Sequence, residues 1–332
     1  MFRIWFERDV PHYLSATLAG VATPIGPGTA TPNDLMSAIG SAHGAIASSL
    51  ATYDGPAMDR APLLRVIART GIGVNNVDLD AATDRGIAVC NTPDAPTVST
   101  AEHAITLMLT VAKQVPEAQA ALRGGGRDFF ASHQGEELSG RTLGLVGIGR
   151  IGSRVAHMAA AFDMRVVAYD PFVDESAATS AGIELVDSLD GLLAQADVVS
   201  LHVPLTTGTR HLIDGERLQL MKPGAILINT ARGGLVDHDA LLGAIEMGHL
   251  AGAGLDVTDP EPLPPDHPLL RRNDVVVTPH VAAATTAGKA RLYESAVTQA
   301  LQVLQGEYPN HLVNQMVWPV RRRDPNTKET RP

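Results

Sequence analysis

The chain has 332 residues, a formal net charge of −10, and 45% hydrophobic against 19% charged side chains, an ordinary globular composition with enough length for two domains. A negative overall field draws in neither nucleic acid nor an anionic membrane, so no partner of either kind is expected. The single cysteine makes no internal disulfide; Cys90 ends the apolar run from Gly86 and reads as a buried strand residue, in keeping with a reducing cytoplasm.

In chain order, Met1 to Asp9 carries charges inside an apolar segment without a secretory cleavage pattern and reads as a first strand. The uncharged stretch from Val10 to Asn33 is broken by Pro11, Pro24, Pro27 and Pro32, and the run Ala104 to Ala112 is too short for a bilayer, so no membrane segment is expected. Ala45–Ala47, Val66–Ala68 and Ile87–Val89 read as strands, each followed by a loop of small residues: Ser48-Ser49, Gly71-Ile-Gly73 and Asn91-Thr-Pro93. Ser99-Thr-Ala-Glu102 has the form of a capping box, opening a helix that is apolar almost all round from Ala104 to Val111. A helix without a polar face must be covered on every side, so it is expected to be either central to its domain or buried in a subunit interface, the interface being the favoured cover. Six more strands follow: Leu143–Val146, Val166–Tyr169, Val198–His202, Ala225–Asn229, Ala253–Val257 and Val275–Val277. Short apolar runs alternating with helical patterns predict parallel sheets with helices on both faces. A last helix is expected from Lys289 to Gln305, and a mobile tail over 321–332.

The strand at Leu143 runs into Gly147-Ile-Gly149-Arg-Ile-Gly152 and then a helical pattern. In a dinucleotide-binding turn, Gly147 permits the tight bend, Gly149 lets backbone approach a pyrophosphate, and Gly152 lets helix and strand lie close. Free N–H groups at the helix start would face the phosphates. Asp170 stands at the carboxyl end of the next strand, where its carboxylate can accept both ribose hydroxyls and would repel a 2′-phosphate. NAD is therefore expected over NADP.

Three ionisable residues stand in loops after later strands: Arg232 in Asn229-Thr-Ala-Arg-Gly-Gly234, Glu261 in Asp259-Pro-Glu-Pro262, and His280 at the end of Val277-Thr-Pro-His280. Loops at the carboxyl ends of strands form the ligand crevice of an open α/β sheet, so all three can converge. Hydride transfer to a ketone needs a proton for the forming alkoxide and a positive group to hold the substrate. His280 would supply the proton, Glu261 would orient the ring and stabilise imidazolium, and the planar fork of Arg232 would hold a carboxylate. No metal site is expected.

The motifs Gly71-Ile-Gly-Val-Asn-Asn-Val-Asp78, Ser99–Glu102, Gly144–Gly152, Tyr169-Asp-Pro171, His202-Val-Pro-Leu205, Asn229–Asp237, Gly254-Leu-Asp256, Glu261-Pro262 and Thr278-Pro-His280 occur in one order. Together they resemble the D-isomer-specific 2-hydroxyacid dehydrogenase family, from Gly44 to Asn314. The resemblance implies Arg232, Glu261 and His280 as the catalytic set. It also implies NAD contacts from Arg150, Ile151, Asp170, Thr230 and Asp256, with Val203, Pro204, Ala231 and His280 in the adjoining loops. Asp256 would accept from the nicotinamide carboxamide, and N–H groups around Ile72 and Gly73, with Arg232, would hold the substrate carboxylate. The expected fold is α/β, with two doubly wound parallel-sheet domains. A Rossmann NAD-binding domain over 99–285 is inserted into a discontinuous flavodoxin-like substrate domain of 1–98 and 286–320. A cytoplasmic homodimer is expected.

The chain departs from the family pattern at two places. Pro96 replaces an asparagine that many members carry, and Ser48 and Ser49 stand where phosphoglycerate enzymes of the family present an arginine. A phosphate would want a cation there, leaving Arg60 or Arg65 as substitutes. The expected activity is NAD-dependent interconversion of a small, unphosphorylated D-2-hydroxy acid and its 2-oxo acid. The alternatives are a D-3-phosphoglycerate dehydrogenase within the family and, from another class, an NAD(H)-sensing corepressor-like interaction protein.

Overall fold

The structure, a computed structural model, describes residues 1–26 and 39–323. It divides into two compact units, residues 1–96 with the C-terminal stretch from 286, and residues 97–285.

The first unit is built on a five-stranded parallel sheet in the order β2-β1-β3-β4-β5. Its strands are β1 (Phe2–Phe6), β2 (Ala22–Ile25), β3 (Gly44–Ala47), β4 (Val66–Arg69) and β5 (Ala88–Cys90). Strand residues alternate between two cores, as a period of two requires. Ile46 and Ala68 face a core shared with Ala296, Val297, Ala300 and Leu304, while Ala45, Ala47 and Ile67 face one shared with Met58, Leu64 and Ala82. The helix Thr286–Gln305 therefore covers one face of a sheet whose strands lie far earlier in the chain. β2 carries Pro24, which hid it in the sequence; as an edge strand it has one side where a missing N–H costs no ladder bond.

The end of the chain is fastened to the same unit. Leu312 bridges Cys90 in antiparallel fashion, and buried Asn314 accepts from the Val89 N–H and donates to Ile87 O and Thr83 Oγ1. Arg321 stacks 3.8 Å above the Trp318 ring, while the Arg322 N–H donates to Gly86 O and its guanidinium to Pro62 O and Leu64 O. Arg321 and Arg322, the first residues of the tail expected to be mobile, thus each have fixed partners. Residues 324–332 lie outside the described residues.

The second unit holds a seven-stranded parallel sheet in the order β12-β11-β10-β9-β6-β7-β8. These strands are β6 (Thr142–Val146), β7 (Arg165–Tyr169), β8 (Glu184–Leu185), β9 (Val198–Leu201), β10 (Ala225–Asn229), β11 (Leu250–Leu255) and β12 (Val275–Val277). β8, two residues on the edge, is too short to register as an apolar run. The apolar helix spans Thr97–Ala112 and belongs to the core of this unit: Ala104, Leu107, Met108 and Val111 are buried with Leu143, Leu145, Val155 and Ile228. A Cβ at Gly254 of β11 would lie 2.8 Å from the Leu107 Cβ, so the helix rests directly on the sheet. Its apolar faces are covered from within, which corrects the expected subunit interface. Ser99 is inside this helix rather than at its cap, with its hydroxyl 2.8 Å from Thr285 Oγ1.

Asn314→Ala leaves a buried N–H and a buried carbonyl without partners. It should lower the unfolding free energy by about 2–4 kcal/mol, read as an earlier midpoint in urea, and an unchanged midpoint would show that the C-terminal segment does not support the first unit.

Candidate active site

The turn after β6 has the geometry of an anion cradle. Gly147 has φ +91°, and a Cβ there would lie 2.7 Å from Val203 Cγ1, so only glycine fits. A Cβ on Gly152 would come within 2.2 Å of Gly147 O, which makes that glycine the condition for the helix Arg150–Ala160 to start against the turn. Gly149 is different: nothing of the protein lies within 4 Å of its Cβ position, so the space there is left to a ligand. No side chain caps this helix start, and its N–H groups are available to phosphate oxygens. Asp170, at the end of β7, accepts from the N–H of Ile148 through Oδ2 and of Phe172 through Oδ1, which holds its carboxylate beside the glycine turn. Thr230 Oγ1, at the end of β10, is buried without a hydrogen-bond partner, as a group reserved for a bound molecule would be. These features fit a dinucleotide. Beneath them, burial pushes the His202 imidazole down to about 4, so at neutral pH it is an uncharged ring hydrogen-bonded to Ser200 Oγ at 2.9 Å.

The three ionisable residues stand in the loops after β10, β11 and β12. His280 Nδ1 lies 2.5 Å from Glu261 Oε1, and both side chains are nearly half exposed. Burial lowers the pKa of Arg232, and the nearby Glu261 charge acts in the opposite direction. The sequence Arg-Gly-Gly has a steric reason. A Cβ on Gly233 would overlap the Thr258 carbonyl at 2.0 Å, so glycine lets the arginine loop lie on the backbone of the loop that carries Glu261. Asn229, fully buried, fixes that turn by accepting from the Ala231 N–H and donating to Arg232 O.

His280 adopts φ +53°, an uncommon conformation for a residue with a side chain. Asp256 holds it there: its backbone carbonyl accepts the His280 N–H at 2.8 Å. Its carboxylate accepts from Thr278 Oγ1 and from the N–H groups of Val281 and Ala282. His103 Nε2 completes the cluster, 2.9 Å from Thr278 Oγ1 and 3.4 Å from Asp256 Oδ1. Burial alone would raise the Asp256 pKa, but the bonds from His103, Thr278 and the two amides outweigh it and leave the carboxyl below its ordinary 3.8. This stabilisation is complete above the ordinary carboxylate range and is lost as pH falls through the depressed value. The Asp256 side chain is fully buried and faces this staple, a role that its sequence motif did not disclose.

In the first unit, Ile72 and Gly73 follow β4. Arg69, buried, donates to Gly73 O and Ala47 O, and Asn91 Nδ2 donates to Ile72 O at 2.8 Å. With their carbonyls engaged, these peptides leave the N–H groups of Ile72 and Gly73 without an acceptor among the described residues. Sequence reasoning missed Arg69, Asn91, Asn229, His103 and Thr278, because each acts on backbone or on another side chain.

Residues 105–282 match the family model for the D-isomer specific 2-hydroxyacid dehydrogenase, NAD binding domain. The chain belongs to this family. It is similar to a glyoxylate reductase of Korarchaeum cryptofilum, 44% identical over 272 residues that cover 81% of each chain. It is likewise similar to a D-3-phosphoglycerate dehydrogenase of Methanocaldococcus jannaschii, 44% identical over 257 residues, 77% of this chain and 49% of that one. The chain thus spans about half the length of the phosphoglycerate enzymes it matches. A crystal structure of a protein from Thermus thermophilus, 42% identical, superposes with a TM-score of 0.85 over 94% of this chain and 99% of that one. In this dehydrogenase-family chain the cofactor is NAD, and the cradle after β6 lies inside the matched NAD-binding domain.

Two glycine substitutions separate folding from cofactor binding. Gly152→Ala forces a backbone clash and should destabilise the second unit by about 1–3 kcal/mol, whereas Gly149→Ala meets only open space, so thermal unfolding should stay unchanged while NADH affinity falls. Equal NADH affinity in Gly149→Ala, measured by fluorescence titration, would place the cofactor elsewhere.

Proposed function

We propose that the protein is an NAD-dependent oxidoreductase that interconverts a D-2-hydroxy acid and its 2-oxo acid. The observation that carries this reading is the 2.5 Å His280–Glu261 pair standing beside Arg232 in loops of an NAD-binding unit. When bound, NADH supplies the hydride. His280 donates a proton from its ring to the alkoxide oxygen, and Glu261, bonded to Nδ1, orients the ring and leaves Nε2 as the donating atom. Arg232 meets the substrate carboxylate with two parallel N–H groups. Cofactor contacts are assigned to Gly147, Gly149, Arg150, Ile151, Gly152, Asp170, Val203, Pro204, Thr230, Ala231 and His280, whereas Asp256, whose carboxylate is buried and engaged by Thr278, Val281 and Ala282, acts through the loop it holds. The corepressor-like alternative is not favoured, since the matched relatives are named as dehydrogenases and reductases.

We also propose a homodimer in the cytoplasm. The helix Val115–Arg123 buries no residue in its own unit, and Leu122 and Phe130 are 66% and 97% exposed, an apolar arm that a second copy would cover. No helix among the described residues is long and apolar enough to cross a membrane. A double variant, Leu122→Glu with Phe130→Glu, should sediment as a monomer where the parent sediments as a dimer; a parent that is already monomeric contradicts the assignment.

The catalytic reading is tested by NADH oxidation with a panel of 2-oxo acids. His280→Ala should lower turnover by about two orders of magnitude or more with little change in NADH affinity. Glu261→Gln should lower turnover by less than His280→Ala does, because the ring keeps its donating atom and loses only the charged partner that orients it. A Glu261→Gln turnover equal to the parent's would mean that the carboxylate does not assist the acid.

A further inference from the structure

The carboxyl edge of the first sheet carries a cation that the sequence pattern did not reveal. Glu7 and Arg8 follow β1 in a bend and differ in burial. Glu7 turns inward and is 2% exposed; its carboxylate accepts from the N–H groups of Ser48 and Ala51 and from the Tyr53 hydroxyl. Burial, and then the Glu7 charge, raise the Tyr53 pKa well above its ordinary value, so the phenol remains a donor. The loop after β3 is thereby fastened to the end of β1. Arg8 turns outward, is exposed, and sets Nε 3.3 Å from Ser48 Oγ. Among the described residues no carboxylate forms an ion pair with it.

The other two arginines considered for this place are elsewhere. Arg65 precedes β4, at the opposite edge of the sheet, with its guanidinium 5.4 Å from the centre of the Phe2 ring. Arg60 ends the helix Gly55–Asp59, on the return path to that same edge. Arg8 reaches the loop from a neighbouring strand instead, and the premise that a cation is missing beside Ser48 no longer holds.

Distance then defines what the edge can bind. β3 and β4 are paired in parallel, with Ala47 beside Arg69, so the loops carrying Ser48 and Ile72 start one strand spacing apart. That spacing is about 5 Å, close to the extent of four bonds of an extended chain at about 3.5 Å for three bonds. We propose that Arg8 is a specificity-determining residue, whose guanidinium binds a second anionic group at the far end of a short 2-oxo acid while the N–H groups of Ile72 and Gly73 take its first carboxylate. This rests on the 2-oxo acid reading above and deepens it: the favoured substrate has an anion, phosphate or carboxylate, at each end.

Steady-state reduction with NADH tests it with phosphohydroxypyruvate and oxaloacetate as doubly anionic acids, and hydroxypyruvate and pyruvate as neutral-ended ones. The parent protein should prefer at least one doubly anionic acid, and the arm that responds tells phosphate from carboxylate. In Arg8→Gln the ratio of kcat/KM between doubly anionic and neutral-ended acids should fall by about 10- to 100-fold, mainly through KM, as expected for loss of one charge-assisted pair. Arg8→Lys should recover part of it. A ratio unaltered in Arg8→Gln, including the case in which all four substrates slow together, overturns the proposal, as does a parent without preference. If the parent reduces none of the four, the oxidoreductase reading fails. Calorimetric binding of phosphohydroxypyruvate to the parent and to Arg8→Gln then decides the role of Arg8 alone, with equal affinities overturning it.

Discussion

The buried carboxylate of Asp256 is the constraint around which the reactive end of the second unit is arranged. A charge removed from water is costly unless it is hydrogen-bonded, and here a hydroxyl, two backbone amides and a nearby histidine supply the partners. The consequence is geometric. The backbone from Thr278 to Ala282 must wrap around the carboxylate, and His280 is forced into a left-handed conformation that places its ring against Glu261. Removing one partner would leave a buried charge or an orphaned amide, so the wrapped loop resists relaxation.

Absent side chains matter as much as present ones. Glycine at 152 and at 233 lets backbone touch backbone, bringing the cofactor turn against its strand and the Arg232 loop against Thr258. At 149 the missing Cβ keeps space open. Local identity of residue is the same in the three cases, yet two serve packing and one borders open space, and only the surroundings tell them apart.

The first unit follows a parallel logic with backbone groups in place of reactive side chains. Arg69 and Asn91 occupy the carbonyls of the loop after β4, whose N–H groups at Ile72 and Gly73 have no acceptor among the described residues, and Glu7 occupies the amides of the loop after β3. Side chains from other parts of the unit thus determine which polarity each loop presents. The exposed groups, Arg8 and the amides of Ile72 and Gly73, are complementary to anions at separated points.

Sequence alone determined the parallel sheets and the glycine turn after β6, and it singled out Arg232, Glu261 and His280, which stand in the loops after β10, β11 and β12. Apolar periodicity and glycine spacing are local properties that survive without knowledge of the fold. It misjudged the helix Thr97–Ala112, since an all-round apolar surface calls for cover without naming what supplies it; the sheet and the helix Arg150–Ala160 do so. It did not find β2, whose proline is tolerated only because the strand lies on an edge, nor the anchoring of Arg321 and Arg322. The tertiary structure alone decided that Asp256 staples a loop and that Arg8, 40 residues before Ser48, stands beside it. Contacts between residues distant in the chain leave no periodic trace in the sequence, because they depend on which strands become neighbours, and that is settled only when the sheet has formed.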